Sequence, residues 1–219
     1  FSETRYPVLV EKLGLATDSG GVGYRRGGCG YDKRVRALAD SKLLSNADRA
    51  LLNTYGVNGG GPGEAYGISV QRGDGAEETV AGMSDNIDVS AGSVVRIKTT
   101  GGGGWGDPYA REVELVCADV RSGLVSEQAA LESYGVVLKK DGRRLTADQT
   151  ATANRRAELR QKRGPLAMFD RGPYFAHIKR DTGIAWPDGW SDPDDGCFAS
   201  DSDEKNWQHE APAVRLRNA

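Results

Sequence analysis

Two glycine-rich strings carry the residues whose types and spacing could do chemistry. The first is Asp18-Ser19-Gly20-Gly21-Val22-Gly23-Tyr24-Arg25-Arg26-Gly27-Gly28-Cys29-Gly30; the second is Gly101-Gly102-Gly103-Gly104-Trp105-Gly106-Asp107-Pro108. Bare backbone of this kind either turns through positive φ or lets another surface come close. Gly27, Gly28, Gly102 and Gly103, with Trp105 beside them, are therefore candidates to line a cavity or meet a neighbouring subunit. The polar members are Asp18, Arg25, Arg26 and Asp107. A structural reading stands next to the functional one: Asp18 caps a turn, the arginines pair on a surface, and Asp107 is a helix N-cap with Pro108 at the first helical position. The second string is not a Walker-type phosphate loop. No Gly-Lys-Ser/Thr follows, and an acid at the cap discourages an anion at that helix end.

Other chemistries find less support. Cys29, Cys117 and Cys197 are odd in number and far apart, which argues against a disulfide framework or a CxxC metal site and for buried or surface thiols. The acidic run 188–195 lacks the spacing and the distal Glu of an EF-hand, so its acids read as solvated. His177 and His209 have no carboxylate or cysteine partner nearby in sequence and read as surface or interface residues. No metal site is expected on this chain. The 219 residues carry a formal net charge of −2, with no basic stripe for nucleic acid. No apolar run approaches the roughly 20 residues that span a bilayer, so the chain reads as soluble and cytoplasmic.

The elements that must hold these strings divide the chain in two. Thirty glycines, most of them in the first half, suit short strands joined by tight turns. Strands are expected at 6–13, around 24–26 and at 33–39; 66–71 and 77–83 bracket Gly73-Asp74-Gly75 as a hairpin, and 94–98 delivers the chain to the second string. Segment 41–55 places Leu43, Leu44, Ala47, Leu51 and Leu52 so that a helix and a loop are both open. After Pro108 the period becomes helical, with Val113, Val116 or Cys117, and Val120 before a stop at Gly123. A second short helix is capped by Ser126 and closed by Gly135, and 136–138 reads as a strand. Thr146-Ala147-Asp148-Gln149 has the form of a capping box, opening a longer polar helix that Gly164-Pro165 ends. The fold class is α+β: an antiparallel β-rich N-terminal half, 1–108, a helical region, 109–164, of the same domain, and an extended Trp-rich tail, 165–219. Too few aliphatics remain in the tail for a core, so Trp186, Trp190 and Trp207 read as anchors on the body or on a partner.

The strings Arg5-Tyr6-Pro7-Val8 and 18–30, in that order, resemble the RYP…DSGGxGxxRGGxG signature of the hydantoinase B family. So do 101–108, Ala118-Asp119-Val120-Arg121-Ser122-Gly123 and Tyr134-Gly135-Val136-Val137-Leu138. The resemblance spans about 3–164 and covers only the C-terminal part of such a subunit. The family includes B subunits of ATP-dependent hydantoinases, the second half of 5-oxoprolinases, and large subunits of acetone and acetophenone carboxylases. The resemblance implies a two-component machine. A hydantoinase A-like subunit uses ATP to phosphorylate a carbonyl oxygen, and the B-like chain completes hydrolysis or carboxylation. The implied partners are that ATP-binding subunit, an N-terminal hydantoinase B-like chain and a small-molecule substrate, in a hetero-oligomer without nucleic acid or membrane. ATP and a divalent metal are expected elsewhere in the complex, with no cofactor on this chain. A non-catalytic assembly subunit is the alternative. The abrupt start and the tail beyond Gly164 depart from the family pattern and suggest a split or processed subunit, or a fragment, without independent activity.

Overall fold

The computed structural model describes residues 2–141, 144–173 and 175. A helical turn, α1 (Ser2–Arg5), leads into β1 (Val8–Leu15); β2 (Tyr31–Ala37), β3 (Ser41–Asn46), β4 (Gly56–Val57), β5 (Gly67–Gln71), β6 (Glu77–Val80), β7 (Met83–Val89) and β8 (Val94–Lys98) follow. The second half holds a 3-10 turn at Pro108–Ala110, then α2 (Val113–Arg121), α3 (Glu127–Glu132), β9 (Leu138–Asp141), β10 (Arg144–Ala147), α4 (Gln149–Arg163) and β11 (Phe169–Asp170). The chain is thus α+β and β-rich, as its composition implies. The segment bearing Trp186, Trp190, Trp207, both histidines and Cys197 lies outside the described residues.

Five strands form one antiparallel sheet in the order β1-β2-β8-β5-β6. Alternation gives it two unlike faces. The register puts Val10, Val35, Val95, Val70, Ile97, Ile68 and Val80 on one side, and Lys12, Arg34, Arg96, Lys98 and Asp32 on the other. On the polar face Asp32 is almost wholly buried and bridges three strands. It accepts from Lys12 Nζ at 2.7 Å and from Arg96 Nε and Nη2 at 3.0 and 3.1 Å. The hydrogen bond from Arg96 outweighs the cost of burial, and with Lys12 it holds the Asp32 carboxyl far below the usual carboxylate range.

The β3–β7 ladder lays Leu43, Ile87 and Val89 against Ala37, Ile68, Val70 and Val80, closing one core. Segment 41–46 is therefore a strand. The helical spacing of its leucines is overridden because Leu43 finds its partner at Ile87 on β7, a contact invisible to local pattern. The expected hairpin forms, with Gly75 at φ +86° and the Ala76 amide donating to Asp74 Oδ1. Its second strand stops at Val80, and Met83 opens β7 instead. No strand forms around residues 24–26, which make a single bridge from Arg25 to Trp105.

A second core gathers Val116, Cys117, Val125, Ala130, Tyr134 and Val136. Ser126 Oγ caps α3 by accepting from Ala129 N, as expected. The cap of α4 differs from the expectation. Asp148 Oδ1 accepts from Ala151 N, whereas Thr146 is a β10 residue opposite Lys139. Thr146 spends its backbone on the ladder, which leaves the nearer carboxylate to take the orphan amide. Helix α4 docks through arginines: Arg156 donates to the carbonyls of Tyr134 (3.0 Å) and Arg111 (2.8 Å). Among the described residues no helix is long and apolar enough to cross a membrane.

Candidate functional site

The two glycine strings meet. With a third stretch, 54–64, they form a crossing in which backbone packs directly on backbone. The Gly21 amide donates to the Gly102 carbonyl and the Gly102 amide to Gly28, each at 2.8 Å; the Gly61 amide donates to Val22 (2.7 Å) and the Gly104 amide to Gly61 (2.9 Å). Arg25 and Trp105 exchange both of their backbone hydrogen bonds at 2.9 Å. A Cβ on Gly27 would overlap the Gly102 carbonyl, one on Gly103 the Tyr55 carbonyl, and one on Gly104 the Val22 carbonyl. A Cβ on Gly102 would stand 3.2 Å from the Gly28 amide nitrogen, while one on Gly28 would meet nothing within 4 Å. Close approach, more than turning, explains glycine at 27, 103 and 104, and does not explain it at 28.

Of the polar members, Asp18, Arg26 and Asp107 reach into other parts of the chain. Asp18, at φ +63°, points Oδ1 at the Ser126 amide (2.7 Å), so its carboxylate ties the first string to the start of α3. Arg26 Nε and Arg111 Nη2 both donate to Asp119 Oδ2, at 3.3 and 2.9 Å, and Arg111 Nη1 donates to the Tyr24 carbonyl (2.9 Å). The arginines therefore do not pair on a surface. Arg26 and Arg111 converge on a buried carboxylate of α2, while Arg25 is exposed, with its guanidinium 5.7 Å from the Tyr24 ring centre. Trp105 meets Tyr24 edge to face at 6.4 Å.

Asp107 does cap, accepting from Tyr109 N at 2.8 Å, although the element it caps is the short 3-10 turn and not α2. It also receives Arg163 Nη1 at 2.7 Å, with Arg160 Nε 3.5 Å away, which pins the end of α4 to the second string. Burial works against its charge. The hydrogen bonds from Arg163 and the Tyr109 amide, with the nearby guanidinium charges, outweigh that, so the carboxyl sits below its usual value and is ionised at neutral pH.

Tyr24, Arg25, Arg26, Arg111, Glu112 and Leu115 line a cleft of about 420 Å³ beside the crossing. Arg111, Glu112 and Leu115 were not among the candidates legible in the strings, because they follow the second string at the entry to α2. Tyr134, in the second core, is fully buried, the pKa of its hydroxyl pushed up to about 12 by desolvation. Among the described residues no group of three or more His, Cys, Asp or Glu could hold a metal ion.

Residues 1–108 match the model of the hydantoinase B/oxoprolinase family, and both glycine strings fall inside that stretch. The chain belongs to that family. It is 38% identical over 143 residues to an uncharacterized protein of Methanocaldococcus jannaschii, covering 64% of this chain and 24% of that one. Over 159 residues it is 35% identical to caprolactamase subunit beta of Pseudomonas jessenii, covering 71% and 27%. The crystal structure of the ATP-dependent caprolactamase from that organism superposes with a TM-score of 0.57 at 30% identity, over the same shares. The nucleotide-free acetone carboxylase shares the fold, at a TM-score of 0.62 and 22% identity over 83% of this chain and 28% of that one. The chain thus spans about a quarter of the length of each of these relatives.

Proposed function

We propose that the chain is part of a hydantoinase B-like component of an ATP-dependent complex. In this reading the complex opens a cyclic amide of the hydantoin, oxoproline or lactam type, or carboxylates a ketone, through a phosphorylated oxygen. The observation that carries it is the glycine crossing itself: the strings that make it lie in the family-matched stretch, and a relative 35% identical is a subunit of a caprolactamase. The chemistry is coherent for either branch. An amide carbonyl oxygen leaves carbon poorly until it is phosphorylated, whereas an enol phosphate releases phosphate and regains its carbonyl when the new carbon–carbon bond forms; in both branches the activated species must be shielded from adventitious water until used. The ATP-binding subunit and the divalent metal are assigned to other parts of the complex, and the hydantoinase A-like chain is the expected partner.

A second reading makes the chain an assembly subunit without catalytic groups. It is favoured by the way Asp18, Arg26 and Asp107 are all engaged in holding the fold. The test is the intact mass and composition of the native complex, followed by its ATPase rate with hydantoins, lactams, and ketones plus bicarbonate. Co-migration with an ATP-binding chain and stimulation by one substrate class would support the first reading and name its branch. A folded chain found alone and inert to ATP would sink both.

A further inference from the structure

Among the described residues the apolar face of the five-stranded sheet is covered over only part of its extent. The β3–β7 ladder shields the part made by β8, β5 and β6, together with Ala37 at the end of β2. The remaining part, the end of β1 and the start of β2, carries Leu13, Leu15 and Tyr31, which the register sets on the same side as Val35 and the buried Ala37; they stand 65%, 50% and 55% exposed. Val8, Val10 and Val35 on that side are half-buried, and Lys33 is its one charged member. β1 is also an edge of the sheet, and of its outward groups the Val10 amide is met by Glu3 Oε1 at 2.8 Å. An uncovered apolar half-face beside an open edge is what a sheet shows when its partner layer is elsewhere.

We infer that the β1–β2 half-face is the seat of the remaining part of a hydantoinase B-like subunit, which packs an apolar layer on Leu13, Leu15 and Tyr31. This rests on the function proposed above. The argument for that occupant is length: the relatives carry about three quarters of their chain outside the segment matched here, which is ample to supply the missing layer. The face is apolar where a nucleic acid or a charged ligand would want cations. It is continuous with the glycine crossing, because Ala16, directly after β1, donates to the Gly30 carbonyl at 2.7 Å.

The test is made on the full chain, tagged and returned to its own host. The native complex is isolated, its members are identified by mass, and amide exchange over 8–15 and 31–35 is compared between the complex and the separated chain. A hydantoinase B-like partner, with exchange slowed at least about tenfold over those segments, supports the inference. So does loss of that partner in the Leu13→Glu/Leu15→Glu double variant when the separated variant melts as the parent does. A complex that persists in the double variant, or protection that falls elsewhere, overturns the inference and leaves the proposed function standing. A homodimer protected at 8–15 overturns it in favour of a second copy. If no hydantoinase-like partner is found, the inference and the proposed function fall together.

Discussion

Gly27 and Gly28 are neighbours in one string with opposite constraints. Gly27→Ala would drive a methyl into the Gly102 carbonyl, and we expect it to cost about 2 kcal/mol or more, as overpacking against backbone does. Gly28→Ala meets open space and should be neutral, or stabilising by a few tenths of a kcal/mol. Urea midpoints of the two variants check this, and equal midpoints would refute the close-approach account. At Asp107 the two roles separate in the same way. Asn keeps the acceptor for Tyr109 N but gives up the charge that Arg163 meets, whereas Ala loses both, so Asp107→Ala should be about 1 kcal/mol less stable than Asp107→Asn. The cap was legible because Asp-Pro before a helical period has a local signature. Arg163 was not, since it stands 56 residues away and nothing in the intervening sequence sets its distance. The same holds for Asp119, which reaches Arg26 across 93 residues.

Among the elements, the three-strand tie at Asp32 gives the sheet a pH dependence whose sign is fixed. The folded carboxyl titrates below its unfolded value, so on acidification the unfolded chain takes up the proton first. The contribution is complete well above about pH 4, where an unperturbed Asp titrates, and it declines as pH falls toward the folded value. Asp32→Asn should therefore be less stable than the parent at pH 7, by about 1–3 kcal/mol, with the difference shrinking below about pH 4 in denaturant titrations. A constant difference from pH 7 to pH 2 would contradict this. Strands β1, β5, β6 and β8 and helices α2 to α4 were readable because alternation, helical spacing and caps are local. β3 and β7 were not. Ser41–Asn46 and Met83–Val89 contain Lys42, Asn46, Asp85, Asn86 and Asp88, poor strand formers, and they are strands because each buries its apolar residues against the other and against β5. The string 24–30 misled in the other direction: its residues look like a strand and a turn, but their hydrogen bonds go to the crossing.

At the scale of the whole molecule, the crossing connects chain stretches that are far apart in sequence, and the Asp18–Ser126 contact across 108 residues draws the helical region to the same place. Contacts of such separation make a fold slow to form, on the millisecond-to-second scale typical of β-rich domains. They also make it hard to divide. The exposed Gly73-Asp74-Gly75 turn is a ready place for a protease to cut. After such a cut both pieces would still hold their shares of the crossing, along with the β2–β8 pairing that joins them. We expect the nicked protein to migrate as one particle on a native gel and to separate in denaturant. Continuity of the covalent chain would then be dispensable for the native shape, much as a clasp keeps a necklace closed after the thread has been snipped elsewhere.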